Sequence, residues 1–126
     1  MRVLILLGFI AISFSAALAQ NVSNDSEATK QLYALFDAEW EKSLKNNPTF
    51  ASSQGDKRYN TEWMDNSLAA IEKRHQENIA TLEKLKKIDR SKLSVSDQLN
   101  YDLFKKSYEG GIESHKYKGY LLPINQ

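Results

Sequence analysis

The sequence predicts an all-α fold, built from three long amphipathic helices and short helical turns. Three observations predict it. Apolar residues recur at three- and four-residue steps in three separate stretches, no stretch alternates as a half-buried strand does, and Pro48 and Gly55 mark a joint between helical stretches. The first long helix is expected over 27–46, where Leu32, Leu35, Phe36, Trp40 and Leu44 share one face. Ser26 is its expected N-cap, and Glu27 places a negative charge in the first turn, where the helix dipole favours it. Glu41 and Lys45 stand as an i,i+4 pair, and Asn46-Asn47-Pro48 ends the helix because proline disfavours helical geometry in the residue before it.

A short helical turn should follow and close at Gly55, a residue that takes the left-handed cap conformation readily. Asp56, Arg58 and Tyr59 then fall in a loop, which Trp63 and Met64 are expected to anchor to the core. The second long helix is expected from Leu68 to Ile88, capped by Asn66 or Ser67. Leu68, Ile71, His75, Ile79, Leu82 and Leu85 lie on its buried side, with Glu83 and Lys87 paired on the wet one. Ser94 and Asp97 open the third helix in a capping-box-like arrangement. That helix carries two stripes, Val95-Leu99-Leu103 and Tyr101-Phe104-Tyr108-Ile112, so it should be covered on more than one side. Gly110-Gly111 weakens it by about 0.5–1 kcal/mol per glycine relative to alanine, which predicts a close helix crossing or a kink there.

Residues 1–19 read as a targeting segment rather than fold. Met1-Arg2 gives a positive start, an apolar run follows, and small residues precede an expected cut between Ala19 and Gln20. The run thins into serine and alanine near the length a membrane span needs, roughly 20 residues, so no stable membrane anchor is expected after cleavage. A secreted or periplasmic product follows. Residues 20–26 form a polar, flexible mature N-terminus, and residues 27–126 form the helical part.

Composition narrows the function classes. With 17 Lys+Arg against 16 Asp+Glu the chain has no basic field to draw nucleic acid, and with no cysteine it has neither a thiolate zinc site nor a thiol nucleophile. The two histidines, His75 and His115, do not form the paired-histidine helix motif of a zinc peptidase: Gln76-Glu77-Asn78-Ile79 follows His75 where the second ligand would stand. No serine sits in a G-x-S-x-G elbow, and Gly110-Gly111 lacks the lysine of a phosphate loop. Tyr33, Phe36, Trp40, Phe50, Tyr59 and Trp63 read as core before they read as a ligand groove. Asp56, Arg58 and Tyr59 are the site candidates, as a structural lock at a corner rather than as catalysts. No catalytic residue and no metal ligand is assigned.

Several segments resemble one large bacterial family in the same order. They are Leu32-Tyr33-Ala34-Leu35-Phe36-Asp37-Ala38-Glu39-Trp40, Asn47-Pro48 with Phe50-Ala51, Gly55-Asp56-Lys57-Arg58-Tyr59-Asn60, Ser96 to Phe104, and Gly119 to Gln126. The family is the bacterial domain of unknown function 885. The resemblance implies an exported, mostly helical protein, several times longer than this chain, similar to zinc-dependent peptidases with an H-E-x-x-H helix far towards the C-terminus. On that reading the chain is the N-terminal scaffold of such a protein, an incomplete part of a larger fold and inactive alone. Zinc and a peptide substrate would belong to the full-length parent, and Asp56, Arg58 and Tyr59 match the family's recurring loop. The broad apolar faces and the apolar closing segment Tyr120 to Ile124 fit incompleteness, and they predict self-association of the isolated chain. The competing expectation is a complete small periplasmic binding or interaction module that dimerises through the same faces. A third expectation is a haem or metal binder using His75, His115 and Met64.

Overall fold

The computed structural model describes residues 26–121, which are helical with no strand among them. Four α-helices run in order: α1 over Glu27–Asn46, α2 over Pro48–Ser53, α3 over Leu68–Lys86 and α4 over Val95–Lys116. Short 3₁₀ turns at Arg90–Lys92 and Gly119–Leu121 follow α3 and α4. The expected signal segment, its Ala19–Gln20 cut and all but the last residue of the flexible N-terminus lie outside the described residues. No helix among the described residues is long and apolar enough to cross a membrane.

The caps are where the sequence places them. Ser26, Ser67 and Ser94 each accept a hydrogen bond from a backbone N–H in the first turn of α1, α3 and α4. Asn47 does the same for α2, whose Pro48 occupies a first-turn position that needs no N–H donor. Gly55 follows α2 with φ +84°, backbone that suits glycine alone at low cost. At the far end a Cβ on Gly119 would meet Ser114 Oγ at 2.9 Å, a contact that turning the serine hydroxyl away would relieve.

The core joins α1 to the α3–α4 hairpin. Leu32 and Leu35 of α1 pack with Leu82, Leu85 and Ile88 at the end of α3, with Leu93 of the linker, and with Tyr101 of α4. Successive contacts give the register. Thr29 meets Asp97, the Phe36 and Phe104 rings lie 4.8 Å apart, and Tyr108 reaches Glu39. Both numbers rise together, so α1 runs parallel to α4 and antiparallel to α3. The two parallel N-termini are tied to each other. Ser26 Oγ donates to the Lys92 carbonyl at 2.9 Å, and buried Asp97 accepts from Tyr33 Oη at 3.0 Å and from Ser94 Oγ at 2.8 Å. Arg90 adds a two-pronged ion pair to Asp102 that holds the linker against α4.

Five expectations are corrected, the first being Leu68, which is 68% exposed rather than on the buried side of α3. Trp63 is 86% exposed and Met64 is exposed too, so neither anchors its loop in the core. Of the two α4 stripes only Tyr101, Phe104, Tyr108 and Ile112 is packed; Val95, Leu99 and Leu103 face outward. Gly110 and Gly111 sit inside an unbroken α4, with open space where a Cβ would stand at either one. Among the described residues no helix packs closely on either glycine. Finally, Glu41 pairs with Arg58 rather than Lys45, and Glu83 with Lys86 rather than Lys87. Exposed pairs differ by only a few tenths of a kcal/mol, so local geometry selects the partner.

Candidate functional site

Asp56, Arg58 and Tyr59 come together at one corner, where Arg58 also reaches Glu41 of α1. Arg58 Nε and Nη2 donate to Asp56, Nη1 lies 2.9 Å from Glu41 Oε2, and the guanidinium stands 5.4 Å from the centroid of the Tyr59 ring. The guanidinium holds the Asp56 carboxyl below the usual carboxylate range, while Asp56 and then Glu41 push Arg58 up. The corner is on the surface rather than buried, so solvent screens the pairs and their effect is local. Arg58→Ala is therefore expected to speed amide hydrogen exchange across residues 54–62 while leaving the global melting transition nearly unmoved. A large drop in that transition would contradict a purely local lock.

A second cluster escaped the sequence reading. Glu39 lies on the apolar stripe of α1, and its side chain is only 10% exposed. It accepts from Tyr108 Oη of α4 at 2.5 Å, forms an ion pair with Lys42, and lies 2.8 Å from Thr81 Oγ1 of α3. Burial raises the Glu39 carboxyl, but hydrogen bonds from Lys42, Tyr108 and Thr81 with the Lys42 charge outweigh it, and the group ends below its ordinary value. Burial and the Glu39 carboxylate push the Tyr108 phenol the other way, well above its ordinary range. The cluster floors an apolar groove between α1 and α4 of about 410 Å³, lined by Phe36, Trp40, Leu103 and Phe104. The signal was present in the sequence. A carboxylate three residues after Phe36 and four after Leu35 faces inward and must find donors.

A third grouping lies at the opposite end of the hairpin. The His75 and His115 rings stack at 3.7 Å with 9° between their planes, and Tyr120 lies 5.2 Å from His115. His115 Nε2 is 3.2 Å from Glu72 Oε2. A hydrogen bond from Gln76 (2.8 Å) chiefly draws the Glu72 carboxyl down, with the charges of the two imidazoles adding to it. His75, His115 and Met64, the three residues of the metal-binder expectation, line one cleft of about 580 Å³. Stacked imidazoles send their ring-nitrogen lone pairs along parallel planes rather than towards one point, and zinc needs three or four converging ligands. Among the described residues no group of three or more His, Cys, Asp or Glu is placed to hold a metal ion. As placed, His75 and His115 do not present converging zinc ligands.

Comparison with known proteins adds one finding. A family model described as a bacterial protein of unknown function (DUF885) matches residues 48–126, from the start of α2 to the last residue. No curated protein and no solved structure matches the chain.

Proposed function

The chain belongs to the bacterial family of unknown function DUF885, and from that membership we propose that it is an exported helical scaffold of a zinc-peptidase-like protein. The observation that carries the reading is the uncovered face of α4. Val95 is 87% exposed, Leu99 and Leu103 are each 59% exposed, and Leu103 continues into the groove beside half-exposed Trp40. Contiguous apolar surface of this kind is the signature of a face that packs on another protein surface. The catalytic part of the parent is the partner that this reading assigns to it. Zinc, peptide recognition and water activation would reside in that part, since the residues described here do not suit the metal. Export rests on the signal-peptide pattern of residues 1–19.

The test uses the whole chain, expressed with its own leader in a bacterial host. The scaffold reading expects a periplasmic product beginning at Gln20, less than about 0.1 zinc per chain and no hydrolysis of a quenched peptide library. It also expects strong binding of an apolar dye at native pH, reduced several-fold in the Val95→Ser, Leu99→Ser, Leu103→Ser variant. A discrete, stable dimer lost in that variant would instead favour the small periplasmic interaction module. A tightly folded monomer without dye binding would overturn both.

A further inference from the structure

Among the described residues, nothing packs on Gly111 closely enough to require glycine. Glycine weakens a helix interior, and here no neighbouring backbone approaches, since nothing lies within 4 Å of the place its Cβ would occupy. Gly111 does line the cleft between α3 and α4, one turn before His115 and on the same helix face. A side chain at 111 would stand in that cleft.

The rest of the lining defines what the space suits. It contains no Asp or Glu. Arg74 reaches it with a guanidinium that spends one Nη1–H on the Asp65 carbonyl (2.6 Å) rather than on a carboxylate. The Asn78 amide and the Ser114 hydroxyl add donors, and Ile71 and Met64 add apolar surface. Two carboxylates lie nearby without lining the cleft: Glu72, engaged by Gln76 and His115, and Asp65, which accepts from the Ser67 backbone N–H and feels the Arg74 charge. A cation, neutral donors and an apolar wall, with no carboxylate in the lining itself, match an organic carboxylate.

We propose that the α3–α4 cleft binds a small molecule or peptide end that carries a carboxylate on an apolar body, and that Gly111 is bare to admit it. Arg74 takes the carboxylate, while Ile71 and Met64 cover the apolar part. The site is separate from the exposed α4 stripe, so it does not depend on the scaffold reading.

Calorimetric titration of the full chain tests it, with N-acetyl-phenylalanine, its carboxamide and inorganic phosphate as probes. The acid is expected to bind, the amide at least tenfold more weakly, and phosphate not detectably. Gly111→Leu should raise the melting temperature yet weaken the acid at least tenfold, whereas Gly110→Ala, outside the cleft, should raise the melting temperature and leave binding unchanged. Arg74→Gln should weaken the acid without that gain, and it serves should Gly111→Leu misfold. Acetylated tripeptides ending in a free phenylalanine distinguish a peptide end from a free acid by binding more or less tightly than the single residue. No binding of the acid at 10 mM, equal binding of acid and amide, or undiminished binding by a folded Gly111→Leu protein would overturn the proposal.

Discussion

Leu85→Ala is expected to lower the unfolding free energy by about 2–5 kcal/mol, the range for truncating a buried leucine. Leu85 is wholly buried, at the point where α1, α3 and the linker residue Leu93 meet. Little apolar surface elsewhere in the helices is available to compensate, because Leu99, Leu103 and Trp40 remain exposed. Total stabilities of small domains are only about 5–15 kcal/mol, so a loss of this size should bring the denaturation midpoint close to zero denaturant. Urea denaturation followed by circular dichroism measures it. Leu99→Ala is the matched control, the same truncation on the uncovered face of α4, and is expected to change stability by no more than about 0.5 kcal/mol. Equal costs for the two would mean that α4 presents its other stripe to the core.

Glu39→Gln is expected to cost about 1–3 kcal/mol at neutral pH, because Lys42, Thr81 and Tyr108 lose a charged acceptor they share in a half-buried place. Its effect on the pH profile is the sharper test. The folded carboxyl titrates below its ordinary value of 4.5, so its contribution is fully present above that value and is lost as pH falls through the folded one. The wild-type chain should therefore lose stability on acidification below about pH 4.5, and the Gln variant should lose less over that window. Tyr108 has the opposite sign. Its folded value lies above 10, so the contribution is intact below pH 10 and disappears as pH rises through the raised value. Tyr108→Phe should flatten that alkaline limb and, because Tyr108 also donates to Glu39, make the acid limb shallower as well. Parallel acid limbs in wild type and Glu39→Gln would show that the cluster does not link the helices.

Local chemistry was readable in the sequence, and tertiary choice was not. The serine caps, Pro48 at the head of α2 and the turn at Gly55 follow from rules that act within four residues, and all appear in place. The Leu32–Leu35 stripe was legible because a single apolar face on α1 has only one way to turn. For α4 the sequence presented two stripes, and which one is packed depends on the direction from which α1 arrives. Trp63 misled because aromatic character reports average burial, whereas the path of residues 54–67 is set by ties such as Arg58 to Glu41 and Arg74 to the Asp65 carbonyl. The meeting of His75 with His115 is a property of hairpin register, and no local pattern announces it. Glu39 was the one missed residue with a visible signal, a carboxylate inside an apolar stripe.

The parallel course of α1 and α4 has a consequence for how the chain matures. The ties of α1 to the linker and α4 span 66, 68 and 69 residues: Ser26 to Lys92, Thr29 to Asp97, and Glu39 to Tyr108. The hairpin closes over a linker of a few residues, and pairings of short span close faster than those of long span. Of the three long helices, the one made earliest is thus the last to settle. It holds Leu32 and Leu35 open to solvent until α3 and α4 have arrived, an interval in which a chaperone has something greasy to grip.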